Sequence, residues 1–257
     1  MAYIEINDVS KVYQRVGEPF HALSHVSLEI ERGEFICLLG PSGCGKTTLL
    51  NTLAGFEHPD EGQVLIGGEK VKDPVSNRVT IFQHYGLLPW QTVEKNVMLG
   101  LLAKKIPKEQ ARAAAAKYID LVGLAGFEHV RPAQLSGGMQ QRVSIARGLA
   151  VQPDVLFMDE PFAALDAITR LKMQDDIHRI AEEEGVTVVF VTHDIEEAVA
   201  LADRIVVLTP NPGRVKEIIK VELGPDRLRT ADDFLAVRDH VFDVFGMKPN
   251  WNVEYVI

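Results

Sequence analysis

The sequence contains few cysteines and no segment long enough to cross a membrane. Cys37 and Cys44 are its only two cysteines among 257 residues, which excludes a disulfide framework or a cysteine-rich zinc site and suits a reducing compartment. No run of about 18 apolar residues occurs. Residues 1–8 also lack the basic start and apolar stretch of a secretory signal. We therefore expect a soluble chain that stays in the cytoplasm.

Positive charge is also scarce. Lys and Arg number 27 against 36 Asp and Glu, which gives a formal net charge of −9. This balance argues against a broad footprint on nucleic-acid phosphates and against binding to lipid head groups by charge alone. Apolar residues make up 46% of the chain, enough to build a core. We therefore expect any membrane association to run through a protein partner.

Apolar, strand-like segments alternate with helix-forming segments, which is typical of an α/β fold with a mostly parallel sheet. Continuous apolar runs that end at polar residues or glycine suit strands buried on both faces. These runs are residues 35–39, 79–82, 155–158, 186–191 and 205–208. Two earlier segments, 4–9 and 23–30, are expected to form antiparallel strands ahead of this core.

Two further parts of the chain have a different composition. Residues 93–150 are rich in Ala, Lys, Glu and Leu and contain no convincing strand, so they predict an inserted helical subdomain. After Pro210, Phe234, Val237, Val241 and Phe245 recur at helical spacing and predict a C-terminal helix. The predicted division is a core with a β-subdomain (1–85 and 151–210), a helical subdomain (86–150) and a C-terminal extension (211–257).

The strongest motif is a glycine-rich loop between a predicted strand and a predicted helix. It reads Gly40, Pro41, Ser42, Gly43, Cys44, Gly45, Lys46, Thr47 and Thr48. This is the P-loop pattern, in which glycines let backbone N–H groups point at phosphates and the helix start adds positive potential. Lys46 is expected to reach the β- and γ-phosphates of ATP, and the Thr47 hydroxyl to bind Mg²⁺. The Cys44 thiol either has a lowered pKa at this helix start or simply fills space.

An acidic pair, Asp159 and Glu160, follows the predicted buried strand 155–158. The carboxyl end of a central parallel strand lies beside the phosphate loop in this kind of sheet. Asp159 is therefore a candidate Mg²⁺ residue and Glu160 a candidate general base for the attacking water. On its own, such a pair also fits a solvated strand end.

The segment Leu135, Ser136, Gly137, Gly138, Met139 and Gln140 can form a second anion site, because Ser136 can cap the following helix and the glycines allow close backbone approach. It resembles the signature motif of the ABC ATPase family. The resemblance implies an ABC-type nucleotide-binding domain with a P-loop NTPase core over residues 1–257. It also implies a homodimer in which each ATP lies between the P-loop of one subunit and the signature of the other.

Four more residues match the family pattern. The resemblance gives Gln83 the role of a glutamine that touches Mg²⁺ or water, and Asp166 that of the D-loop aspartate. It makes His193 the switch histidine that contacts the γ-phosphate, and Tyr13 the aromatic residue that stacks on adenine. Without the resemblance, His193 fits a structural histidine and Tyr13 fits a core aromatic residue.

An apolar loop follows Gln83 and contains Leu87, Leu88, Pro89 and Trp90. Such a cluster suits docking of a partner helix, here the cytoplasmic helix of a membrane-spanning permease. The alternative is that Trp90 packs inside its own domain.

Several segments, including this loop, resemble the importer group for nitrate, sulfonates, taurine and bicarbonate. The resemblance implies an ATPase on the cytoplasmic face of the membrane that works with a permease and an extracytoplasmic solute-binding protein, and no nucleic acid. A soluble ABC-type ATPase acting on nucleic acid and a nucleotide-dependent regulator remain as alternatives.

Overall fold

The computed structural model describes residues 2–14, 17–224 and 227–247. Its first half contains, in chain order, β1 Ile4–Tyr13, β2 Phe20–Ile30, β3 Phe35–Leu39, α1 Lys46–Ala54, β4 Glu61–Ile66, β5 Glu69–Lys70, β6 Arg78–Ile81, α2 Val93–Ala103 and α3 Lys108–Leu121. The second half contains α4 Gly137–Ala150, β7 Val155–Asp159, α5 Ala167–Glu184, β8 Thr187–Thr192, α6 Ile195–Leu201, β9 Arg204–Leu208, β10 Val215–Lys220 and α7 Asp232–Val244.

A six-stranded sheet forms the centre, in the order β10-β9-β3-β8-β7-β6. Its strands run parallel except β10, which returns antiparallel to β9 after a short turn. Strands β3, β7 and β8 are buried along their whole length, because helices cover one face of the sheet and α1 with a second sheet covers the other. The carboxyl ends of these strands therefore meet at one edge.

The predicted antiparallel strands form a second sheet, in the order β2-β1-β4-β5. It packs with α1 and one face of the central sheet around a shared apolar core that includes Ile4, Val26, Leu49 and Val189. This core fixes the N-terminal sheet beside the loop between β3 and α1, because α1 contributes several of its buried leucines.

Residues 93–150 contain helices and no strand. Helices α2, α3 and α4 pack together and share a larger core with β6, β7 and β8. The predicted C-terminal helix is present as α7, where Phe234 and Val241 are buried. The predicted domain boundaries stay predictions. Throughout the described ranges, no helix has the length and apolar character needed to span a bilayer.

Candidate functional site

The P-loop connects β3 to α1, as the motif predicts. Gly45 precedes α1 with a φ of 91°, and a Cβ at this position would lie 2.6 Å from the Ala22 carbonyl oxygen. Only glycine fits both the backbone conformation and the space. Lys46 is 6% exposed, and its Nζ donates to the carbonyl oxygens of Gly40 and Pro41 at 2.6 and 3.1 Å. The Lys46 ammonium group is thus held against the backbone of the P-loop.

A cleft of ≈300 Å³ opens at this loop. It is lined by Phe20, Ala22, Ser42, Gly43, Gly45, Lys46, Thr47, Thr48 and Glu160. The structure therefore brings Glu160 to the P-loop. Phe20 and Ala22 come from β2 and were not singled out in the sequence, because nothing in the pattern of a β-strand shows which loop it faces. A glycine-rich loop at a helix start, with one lysine and three hydroxyl residues lining the cleft, suits a phosphorylated ligand.

A larger cleft of ≈740 Å³ lies between β2, β4 and the turn at Asn211 to Arg214. It borders the first through Phe20 but contains none of the P-loop residues. We expect phosphate to bind in the smaller cleft despite its smaller volume, because that cleft contains Lys46 and the glycine-rich loop.

Thr47 and Asp159 meet at the carboxyl edge of the sheet, where the Thr47 hydroxyl donates to Asp159 Oδ2 at 3.0 Å. Burial raises the pKa of Asp159, and the hydrogen bond from Thr47 offsets part of that rise. Among the described residues, no group of three or more His, Cys, Asp or Glu side chains could hold a metal ion. A hydroxyl beside one carboxylate nevertheless fits Mg²⁺, which takes one or two protein oxygens and completes its shell with phosphates and water.

Glu160 and His193 form a second pair, with His193 Nδ1 3.0 Å from Glu160 Oε1. The backbone of Glu160 has a φ of 46°, and its N–H donates to the Val191 carbonyl at 3.0 Å. A left-handed conformation at a non-glycine residue is strained and often occurs at functional sites. Here it directs the carboxylate away from the line of β7 and into the cleft.

Gln83 lies at the same edge, because Ile81 pairs with Met158 in the parallel register. Its side chain is exposed in the loop after β6. Tyr13 is half-buried at the end of β1, with its hydroxyl donating to Glu57 and lying 3.4 Å from Thr48 Oγ1. Burial and the Glu57 hydrogen bond raise the pKa of Tyr13. Tyr13 therefore lies beside the phosphate cleft, although it does not line it.

The signature segment forms a separate, exposed helix start. Ser136 caps α4, and its Oγ accepts from the Met139 N–H at 3.2 Å. A Cβ on Gly138 would lie 3.2 Å from the Ala164 carbonyl oxygen, so the glycine allows close packing against the segment before Asp166. Leu135 is buried in the core instead of facing solvent. None of the signature residues lines the phosphate cleft of the same chain.

Asp166 caps the next helix, α5, by accepting from the Thr169 N–H at 3.0 Å. This backbone hydrogen bond holds the pKa of Asp166 below its usual value. The predicted D-loop aspartate thus lies on the surface, adjacent to the segment that contacts the signature.

The loop with Leu87, Leu88, Pro89 and Trp90 is held from two sides while Trp90 is 65% exposed. Asn96 of α2 is fully buried. It accepts from the Leu88 N–H at 2.8 Å and donates to nearby carbonyls. Arg147 of α4 donates to the carbonyls of Tyr85 and Gly86 at 3.0 and 2.7 Å. Trp90 is therefore not packed inside its own domain, and the two residues that hold its loop carry no motif signal.

Cys44 is buried inside the P-loop, and burial raises the pKa of its thiol. The alternative of a lowered pKa is therefore wrong. Its sulfur packs against Gly40, where a Cβ would lie only 2.6 Å away, so Cys44 fills space.

Comparison with known proteins gives one consistent result. Residues 23–163 match the family model described as ABC transporter. The chain is 49% identical to the ABC transporter ATP-binding protein MJ0412 of Methanocaldococcus jannaschii, over 94% of this chain and 90% of that protein. It is 46% identical to the bicarbonate transport ATP-binding protein CmpC of Synechococcus elongatus, over 88% of this chain and 35% of that longer protein.

The nitrate import ATP-binding protein NrtD of Synechococcus elongatus is 41% identical, over 89% of this chain and 85% of that protein. A dimeric structure of the cassette MJ0796 superposes with a TM-score of 0.80 and 36% identity, covering 86% of this chain and all of that one. The same cassette has a dimeric structure in a post-hydrolysis state with ADP and Pi. The chain therefore belongs to the ABC transporter family, as an ATP-binding cassette of the kind whose ATPase activity is coupled to transport.

Proposed function

We propose that this chain is the ATP-hydrolysing subunit of an importer for a small anion such as nitrate, bicarbonate, taurine or another sulfonate. Relatives named for bicarbonate transport and nitrate import support the anion class. In this proposal the chain lies on the cytoplasmic face of the membrane, bound to a permease that receives its solute from an extracytoplasmic binding protein.

The observation that carries the mechanism is the position of Ser136. Its capped helix start is an anion-binding feature, yet it is exposed and lies outside the phosphate cleft of its own chain. A second copy in head-to-tail arrangement would bring this helix start to the γ-phosphate bound by Lys46. The dimeric structures of MJ0796 support such an assembly.

Within each composite site the described geometry supports a division of roles. The P-loop N–H groups and Lys46 would bind the phosphates, while Thr47, Asp159 and Gln83 would hold Mg²⁺. When bound, Mg²⁺ neutralises charge that develops on the phosphate oxygens. Glu160 accepts a proton from the attacking water. His193 Nδ1 lies 3.0 Å from Glu160 Oε1 and orients that carboxylate. In this proposal the His193 side chain would also contact the γ-phosphate.

A mixing experiment tests the shared site. Chains with Lys46→Ala and chains with Ser136→Arg should each lose ATPase activity, because every site in either homodimer lacks one half. Mixed together, they should recover part of the activity, because a heterodimer contains one site with both Lys46 and Ser136 intact. Absence of recovery, with exchange of subunits verified, would rule out the composite site.

The apolar loop supports docking of a permease. Beside it, an apolar cleft of ≈270 Å³ lies between β6, α2 and α4. Leu99, which lines this cleft, is exposed, and so are Phe82, which follows β6, and Trp90 of the loop. A helix with apolar side chains would cover such a surface.

Transport and solute are tested in cells that lack this chain. Uptake of labelled nitrate, bicarbonate and taurine should fall for one of these solutes and be restored by the parent chain but not by Glu160→Gln. Unchanged uptake of all three would contradict the anion assignment, and stimulation of ATP hydrolysis by DNA or RNA would favour a nucleic-acid role instead.

A further inference from the structure

The turn that carries His193 is held by a buried carboxylate. Strand β8 ends at Thr192, whose hydroxyl donates to Glu197 Oε2 at 2.7 Å and accepts from the Asp194 N–H at 3.0 Å. Asp194 in turn caps α6. The residues on both sides of His193 therefore depend on one hydroxyl, and that hydroxyl depends on Glu197.

Glu197 is 7% exposed, so its charge has little access to water. Its other oxygen accepts from Gln174 Nε2 on α5 at 3.1 Å. The Nε of Arg170, also on α5, stands 3.9 Å from the same oxygen. A buried carboxylate is stable only when hydrogen bonds and a nearby cation compensate for its lost solvation, and α5 supplies both.

Arg229, in the segment before α7, fixes the orientation of the Gln174 side-chain amide. Its guanidinium donates to Gln174 Oε1, and its other terminal nitrogen donates to the Glu196 carbonyl at 3.4 Å. Arginine only donates hydrogen bonds and an ionised carboxylate only accepts them. The amide of Gln174 must therefore point its oxygen at Arg229 and its nitrogen at Glu197.

We propose that Glu197 is a positioning residue for the His193 turn, and that the C-terminal segment sets its position through Arg229 and Gln174. The chain of contacts runs from Arg229 to Gln174, Glu197 and Thr192, and ends at the turn that places His193 3.0 Å from Glu160. Docking of the segment before α7 thus favours the hydrolysis-competent arrangement, and its release disturbs that arrangement. This inference rests on the proposed role of His193 in hydrolysis.

The consequence is a selective effect on turnover. Lys46 and the P-loop belong to the start of α1, not to this network, so nucleotide binding is independent of Arg229. Loss of Arg229 should lower kcat and leave the Kd for ATP unchanged. A general loss of folding would instead lower kcat, raise the apparent Kd for ATP and lower the thermal midpoint.

The first test compares Arg229→Ala with Arg238→Ala in the full chain. Arg238 is a matched control on α7, because it pairs with Asp239 and lies 4.0 Å from Glu196 but does not reach Gln174. We expect Arg229→Ala to lower kcat about five- to tenfold at unchanged ATP affinity, the effect of one buried hydrogen bond in a network. Arg238→Ala should keep the parent kcat. Equal values of kcat for the two variants would overturn the proposal.

The second test separates this inference from the role of His193. Glu197→Gln keeps the size and most hydrogen bonds and should retain most of the parent kcat, whereas Glu197→Ala should lose it. In a double-mutant cycle, Arg229→Ala should have no further effect in a His193→Ala background. If His193→Ala hydrolyses ATP like the parent, the proposed function of His193 fails. If His193→Ala is impaired and the effect of Arg229→Ala adds to that impairment, the proposed link from Arg229 to His193 is overturned. The role of His193 in hydrolysis then stands.

Discussion

The Thr47 hydroxyl lies 3.0 Å from Asp159 Oδ2, although 112 residues separate the two in the chain. The contact exists because β3 and β7 lie on either side of β8 in the parallel sheet, so the residues that follow them reach the same edge. It joins the start of α1 to the end of β7 and places a hydroxyl and a carboxylate where a phosphate-bound cation is expected.

Asp159→Asn should separate stability from activity. Burial raises the pKa of Asp159 above the ordinary 3.8, so the folded protein binds more protons than the unfolded chain just above that pH, and its stability falls as pH rises through this window. The variant should unfold at a higher temperature than the parent at pH 7, with the difference shrinking below pH 3.8. Its Mg²⁺-dependent ATPase activity should fall about 10- to 100-fold. A less stable variant at pH 7 would contradict the buried-charge argument.

Glu160→Gln should lower ATP hydrolysis about a hundredfold or more and leave ATP binding intact, because the amide cannot accept the proton of the attacking water. Turnover is measured by phosphate release and binding by titration with a fluorescent nucleotide. Gel filtration with ATP should show a larger species for the variant than for the parent, since hydrolysis no longer opens the dimer. Normal turnover would remove Glu160 from the role of base.

Gly45→Ala and Gly43→Ala form a matched pair. Both glycines have positive φ, 91° and 79°, but a Cβ on Gly43 meets no atom within 4 Å, while one on Gly45 would collide with Ala22 and Leu23. Gly43→Ala should lower the free energy of unfolding by about 1–2 kcal/mol through backbone strain alone. Gly45→Ala should lower it further and weaken ATP binding. Chemical denaturation measures the loss of stability and nucleotide titration measures ATP affinity. Equal losses of stability in the two variants would show that Ala22 and Leu23 move aside to accommodate a Cβ at residue 45.

Trp90→Ala should keep the stability of the isolated chain within about 0.5 kcal/mol, because most of the indole already faces solvent. Association with the permease should weaken, measured by recovery of the two subunits from detergent-solubilised membranes. Leu228→Ala is the control, since Leu228 is similarly exposed but lies in the C-terminal segment. Equal recovery for both variants would place the docking surface elsewhere.

Asn96 should contribute strongly to the stability of the loop that contains Trp90, because its side chain hydrogen-bonds to the loop backbone. Asn96→Ala leaves the partly buried Leu88 N–H without its acceptor and should cost about 1–3 kcal/mol of stability. Asn96→Asp keeps the acceptor but replaces amide donors with a carboxylate facing the carbonyls of Leu88, Gln91 and Thr92. It should be destabilised at least as much at neutral pH and recover partly at low pH, when the carboxyl is protonated. Thermal unfolding across pH measures this difference.

Much of the fold was predictable because its signals are local. The buried runs of β3, β7 and β8 are continuous in the sequence, and the cap at Ser136 and the glycines of the P-loop act on their immediate neighbours. These signals predicted the P-loop, the acidic pair Asp159 and Glu160, and the capped helix start at Ser136.

The residues that sequence reasoning missed act on distant segments. Arg147 holds carbonyls 61 and 62 residues away, and Gln174 and Glu197 meet across 23 residues with no shared spacing rule. A lone Arg, Gln or Glu in a helical segment resembles any solvated residue until the packing is known. The thiol of Cys44 illustrates the same limit, because its pKa depends on burial that the glycine-rich loop alone does not reveal.

Helix α4 carries Ser136 at its start and Arg147 near its end. Its 14 residues span about 21 Å of continuous hydrogen-bonded backbone. Such a helix barely shortens along its axis, so a displacement imposed at Ser136 is transmitted almost undiminished to the carbonyls of Tyr85 and Gly86. The Ser136 helix start and the loop that contains Trp90 are thereby connected by a single stiff element, without any hinge between them.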